Sequence, residues 1–267
     1  MSEGSRSVAF DRAAEYYDST RGLSDAGAVR QTELLAGELG GRGRVVEIGV
    51  GTGQVALPLH DAGIPVVGMD LSSPMLAKLR EKSEGRSPFP LVQADATRLP
   101  FRDRAFGAAY LRWVLHLIPG WPDALDETVR VVEPGGIVLI LLGAAGKDTP
   151  QAEVQRRFAA LAGISFEPAG LSWGGYDELD VAMSRFGAVR RTLPSFTEVE
   201  RDGIEIFIDG IAANRYSWTW QIDDPAFLGS VAADVRGWAE ERFGPLDQVR
   251  RAEHEVVWRA YDFPAGR

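Results

Sequence analysis

Val45-Val46-Glu47-Ile48-Gly49-Val50-Gly51-Thr52-Gly53-Gln54 is the stretch that decides how this chain folds. An apolar run leads into three glycines at alternate positions, the pattern of a buried strand that opens onto a ligand-binding turn. The dinucleotide fingerprint asks for G-x-G-x-x-G, whereas position 54 here is Gln. Glu47 stands two residues before the first glycine. At ~4 Å and an effective dielectric of about 20, a carboxylate opposes a phosphate charge by roughly 4 kcal/mol. A ligand that brings a cation to this place meets no such objection.

Outward from the loop, the first half alternates strand-like and helix-like segments, which predicts a parallel α/β sheet. Strands are expected over residues 44–50, 66–72, 91–95, 106–113 and 137–142. A helix over 54–63 contains Pro58 near its start, so its first turn should be irregular. Ser72 or Ser73 caps a second helix with Pro74 in its first turn. A third helix lies around 123–132, and residues 133–136 (EPGG) form a turn. The second half is less regular, with helices over 149–163 and 177–187 and strands over 188–200 and 254–263. Residues 145–150 read as the one evident linker. Acids end two more strands, Asp70 the second and Asp95 the third, so with Glu47 three carboxylates face the crevice where open α/β sheets bind ligands.

The chain has 267 residues with 45% hydrophobic content, enough to bury a sizeable core. Its 29 Lys and Arg against 38 Asp and Glu leave a net charge of −9, which works against nucleic acid or an anionic membrane as partner. With no cysteine and three scattered histidines (His60, His116, His254), no metal centre is expected. The N-terminal stretch lacks an apolar signal core and no 18-residue apolar run follows, so a cytoplasmic location is expected.

EIGVGTGQ, MDLS, QADATRLPF and EPGGIVLI occur in this order and spacing. In them the chain resembles the class I S-adenosylmethionine-dependent methyltransferases over most of residues 45–142. The N-terminal FDRAAEYYDSTRG is similar to small-molecule members of the ubiquinone/menaquinone-biosynthesis-like branch. The resemblance implies a Rossmann-like, doubly wound, seven-stranded sheet, mostly parallel with a reversed last strand, plus a helical lid-like insertion. It implies one methyltransferase domain over 1–267, with a cofactor core at 30–145, an N-terminal helical cover at 1–29 and a helical insertion at 198–250. S-adenosylmethionine is the implied cofactor, and its methionine end answers Glu47 with an ammonium and a sulfonium. By the same resemblance Glu47, Gly49, Gly51 and Gly53 serve the methionine part and the backbone approach. Asp70 holds the ribose hydroxyls with Leu71 against the adenine, Asp95 with the Ala96 N–H meets the base edge, and Met75 is a further cofactor-binding candidate. Leu111 lies near the methionine moiety, and Tyr16, Tyr17 or Arg21 closes over the cofactor, with Arg21 matching its carboxylate. A glycine at 107, where an acid is frequent, and the Leu111-Arg112 pair depart from the family pattern.

Several side chains carry two readings at this stage. His116 is either a general base beside the transferred methyl or a residue capping the following helix. Arg112 contacts the acceptor or packs with Trp113 beneath a cover. The aromatic run Tyr216–Trp220 is a substrate wall or core. The resulting expectation is methyl transfer to oxygen or nitrogen of a small-molecule acceptor by a monomer or homodimer. The alternatives are a non-catalytic S-adenosylmethionine-binding protein and a nicotinamide-dependent oxidoreductase.

Overall fold

The computed structural model describes residues 7–143 and 149–265. Residues 145–148 of the expected linker therefore lie outside the described residues, while Thr149 and Pro150 already start a helix. Contacts divide the described chain into two compact units. The first holds the described residues up to Gly143 with Ala169–Thr197 and those from Glu255 onward; the second holds the remainder of 144–168 with Glu198–His254.

The first unit is a seven-stranded sheet. Strands β1 (Val45–Ile48), β2 (Val66–Asp70), β3 (Leu91–Gln93), β4 (Phe106–Arg112) and β5 (Val132–Leu141) run parallel in the order β3-β2-β1-β4-β5. β6 (Val189–Thr192) and β9 (Arg259–Asp262) complete it as β5-β9-β6, with β9 antiparallel to both neighbours. This is the expected mostly parallel sheet with a reversed last strand. Side chains alternate across it. Val46, Ile48, Ala109, Leu111, Val138 and Ile140 pack on one face; Val45, Ala108, Tyr110, Ile137 and Leu139 pack on the other. Apolar cores on both faces are what a doubly wound sheet requires.

Local signals place the flanking helices. Ser24 Oγ accepts the Gly27 N–H at the start of α2 (Asp25–Leu39), after the short α1 (Tyr17–Thr20). Helix α3 (Ala56–Asp61) begins two residues later than expected, which leaves Pro58 in its first turn. Ser72 Oγ caps α4 (Ser73–Lys82) by accepting the Met75 N–H, and α5 (Trp121–Val131) has Pro122 in its first turn. Helix α7 (Tyr176–Ser184) also belongs to this unit.

Three sequence expectations are corrected. Pairing of β5 starts at Val132 rather than 137, because EPGG forms a bulge inside the strand with Gly135 at φ +80°. The expected strand over 188–200 is two strands, β6 and β7 (Phe196–Asp202), separated by Leu193-Pro194-Ser195. Pro194 has no N–H to continue a ladder. The expected strand over 254–263 is likewise split into β8 (Arg250–Val256) and β9 around the fully buried Trp258, and β7 pairs with β8 in a separate two-stranded sheet.

The second unit has its own core. Val154 and Phe158 of α6 (Pro150–Ala162) pack with Ile204, Ile208 and Ile211 of α8 (Ile204–Ala212) and with Leu228, Val231 and Val235 of α9 (Pro225–Phe243). The aromatic run belongs to this core: Trp218 meets Phe158 edge-on at 5.6 Å and stacks on Tyr216 at 5.9 Å. The segment expected as an insertion over 198–250 thus folds together with α6. Among the described residues, no helix is long and apolar enough to cross a membrane.

Candidate functional site

The crevice lies at the carboxyl ends of β1 and β4. Tyr17, Glu47, Gly49, Val50, Gly51, Thr52, Gln54, Val55 and Arg112 line it. The loop takes its shape from glycines at φ +79°, +52° and +84° (Gly49, Gly51, Gly53), a region L side chains rarely adopt. A Cβ at Gly49 would strike Val114 at 2.7 Å, and one at Gly53 would press on Leu57 and Leu79 at 3.0 Å. At Gly51 a Cβ would meet no atom within 4 Å. The first and third glycines therefore serve packing, and the middle one leaves space for a ligand.

Glu47 is 2% exposed. Its Oε2 accepts the Tyr110 hydroxyl at 3.1 Å, a partner fixed by the register that sets Glu47 opposite Tyr110. Burial pushes its pKa up to about 8, against the opposing pulls of Tyr110 and Arg112. Burial also raises the Asp70 carboxyl, whose two oxygens accept the Gly51 and Ser72 N–H groups at 2.8 Å each. The Gly51 bond ties the loop to the end of β2. Asp95 Oδ1 accepts both the N–H and the hydroxyl of Thr97 at 2.9 Å, with Ser7 Oγ at 3.5 Å from both carboxylate oxygens.

The N-terminal segment docks on the same loop. Thr52 Oγ1 donates to Asp18 at 2.6 Å, Gln54 Nε2 donates to Asp18 and to the Arg21 carbonyl, and Lys82 pairs with Asp18 at 2.6 Å. Burial opposes ionisation of Asp18, but these donors outweigh it and hold its pKa below the usual range. Tyr17 reaches the crevice, and burial raises its hydroxyl pKa.

The other expected residues are placed as follows. The Leu111 side chain is 1% exposed and packs in the core of the opposite face, since alternation along β4 turns Tyr110 and Arg112, not Leu111, toward Glu47. The Met75 side chain is 2% exposed, and its N–H serves the Ser72 cap. Ala96 is buried in the core, and Leu71 is held through its carbonyl by Gln93. Arg21 Nη1 donates to the Thr20 carbonyl, and its charge bears on Tyr17 and His116. Gly107 departs from the family pattern for a local reason: a Cβ there would sit 1.8 Å from the Arg42 carbonyl oxygen.

His116 lies in a short 3-10 turn, Leu115–Leu117, and does not cap α5, whose N-cap is Gly120. Its ring is 4.1 Å from that of Trp173. Burial and the charge of Arg21 push its pKa down to about 3. Tyr110 and Gln54 are site residues that sequence reasoning missed. The period-2 alternation from Arg112 back to Tyr110 is the signal that points to the first; nothing local points to the second.

A doubly wound sheet with a glycine loop and acids at successive strand ends defines a nucleotide-type cofactor protein. A family model described as a methyltransferase domain matches residues 46–140. Phosphatidylethanolamine N-methyltransferase of Cereibacter sphaeroides is 36% identical over 146 residues, covering 54% of this chain and 70% of that protein. Demethylmenaquinone methyltransferase of Clavibacter sepedonicus is 33% identical over 145 residues, covering 51% of this chain and 57% of that protein. The YcgJ protein of Bacillus subtilis has the same fold, with a TM-score of 0.60 at 17% identity over 89% of this chain and 100% of that one. This chain belongs to the class I S-adenosylmethionine-dependent methyltransferases.

The family's cofactor is S-adenosylmethionine, and the residues present fit it. Glu47 is a buried acid whose ionised form asks for a cation, Gly51 leaves the backbone open to close approach, and Arg112 has buried donors that ask for an anion.

Proposed function

We propose that this protein transfers the methyl group of S-adenosylmethionine to an oxygen or nitrogen of a small molecule by in-line displacement. The observation that carries the cofactor half is the buried Glu47 carboxyl beside the open glycine Gly51, a pair suited to a cationic ligand and unsuited to a pyrophosphate. When bound, the cofactor supplies a methyl carbon on a positively charged sulfur, an already activated electrophile. The chain's own task is then alignment, and holding the reacting atoms in line contributes ~7–11 kcal/mol.

In this reading Asp70 holds the ribose hydroxyls through the lone pairs that Gly51 and Ser72 leave free, Asp95 and Ala96 hold the base, and Tyr17 covers the methionine end. In this reading His116 does not serve as the base. With its pKa at about 3, taking a proton from a phenol near 10 runs uphill by roughly 9 kcal/mol. That favours an acceptor atom with an available lone pair, such as a neutral amine nitrogen, over a protonated phenol. A relative whose printed name is an N-methyltransferase agrees with that.

The first test is calorimetric titration with S-adenosylmethionine, its demethylated product and NAD, for the wild type and Asp70→Ala. Micromolar binding of the first two, weakened at least tenfold by Asp70→Ala, is the expected result. Binding of NAD alone sinks the proposal. Turnover is then screened over amines and phenols with His116→Asn alongside. That variant should keep activity within about threefold, and a loss of 100-fold or more would restore His116 as the base.

A further inference from the structure

We propose that Arg112, not Arg21, holds the carboxylate of the cofactor's methionine end; this rests on the cofactor reading above. Arg112 is 8% exposed and lines the crevice together with Glu47, Gly49 and Gly51. One of its donors is used, Nη1 to Gln54 Oε1 at 3.0 Å. Its Nε and Nη2 have no hydrogen-bond partner among the described residues, and no ion pair there joins it to Glu47. A buried guanidinium with two nitrogens, and so three N–H groups, left without a partner lacks the anion it is built to meet, because buried charges in folded proteins are paired.

The guanidinium is also held in place. It lies 3.7 Å from the ring centroid of Trp113, and Trp113 takes φ +52°, a left-handed conformation that costs a non-glycine residue energy. The turn at the end of β4 thus sets an aromatic shelf under Arg112. Gln54, itself fastened to Asp18 and the Arg21 carbonyl, fixes the other side. One crevice therefore presents a carboxyl and a guanidinium with free donors, the complement of an α-amino acid's ammonium and carboxylate. Arg21 is outside that lining.

An acidic group on the acceptor has the same chemistry as the cofactor's carboxylate, and binding without acceptor separates the two sources. S-adenosylmethionine and its decarboxylated analogue, which differ by that one group, are titrated into the wild type, Arg112→Gln, Arg112→Met and Arg21→Gln. The wild type should prefer the carboxylated compound by about 10- to 100-fold, the range of a charge-assisted hydrogen-bonded pair. In both Arg112 variants the preference should fall to within about threefold, with the analogue bound as tightly as by the wild type. Arg21→Gln should keep the preference.

A second readout excludes a merely structural role. Removing a buried, incompletely partnered charge relieves the ligand-free protein, so Arg112→Met should melt at or above the wild-type temperature. A preference unchanged in the Arg112 variants, or lost in Arg21→Gln alone, overturns the proposal while leaving the cofactor in place. A wild type that binds neither compound removes the cofactor reading as well.

Discussion

The Glu47 carboxyl is buried with its pKa at about 8, so in the ligand-free protein at pH 7 it is about nine-tenths protonated. A cation placed against it favours the ionised form, and binding then expels the proton. The affinity for S-adenosylmethionine should rise about tenfold from pH 6 to pH 7 and level off above pH 8. Calorimetry in two buffers of different ionisation enthalpy reads the released proton directly, and Glu47→Gln should bind weakly with no slope. A flat wild-type profile would mean that the ligand meets a carboxylate already ionised. Residue by residue, Glu47, Gly51 and Asp70 were legible because a strand followed by glycines places its neighbours predictably. Arg112 was visible as a candidate, read toward the acceptor from the sequence and toward the cofactor's carboxylate in the proposal above. Its orientation depends on alternation along β4 and on Trp113, whose positive φ no local pattern announces.

Among the elements, two glycines separate what the turns do for the fold from what they do for the ligand. Gly107 stands in β4 where a Cβ would collide with the Arg42 carbonyl, and backbone on both sides has little room to yield. Gly107→Ala should cost about 3 kcal/mol or more in urea denaturation. Gly51→Ala meets no neighbour, so it should cost only the ~1–2 kcal/mol of left-handed strain. The same methyl occupies space kept for the ligand, and S-adenosylmethionine binding should weaken at least tenfold. Equal effects of the two substitutions on stability would show that Gly51 also serves packing. The five parallel strands were readable element by element from their apolar runs. The late strands were not, since Pro194 and Trp258 break each of them in two and the partners change at the break.

For the whole molecule, the raised pKa of Glu47 makes stability depend on pH in a stated direction. The folded protein keeps a proton that the unfolded chain releases between its ordinary value of 4.5 and about 8. Stability from this group is therefore full below that window and falls as pH rises through it, by an amount on the order of 4 kcal/mol. Melting curves of wild type and Glu47→Gln should converge near pH 5 and separate toward pH 8, with the variant the more stable. Parallel curves would place the ionisation of Glu47 elsewhere. By itself the sequence determined the parallel half of the sheet, the glycine loop, the three strand-end acids and the family, because each rests on residues adjacent in the chain or at a short regular spacing. Only the tertiary structure decided that Tyr110 holds Glu47, that Leu111 turns away while Arg112 turns in, and that 198–250 shares a core with α6. Those outcomes depend on strand register and on contacts between residues far apart in the chain, which no local pattern of side chains encodes.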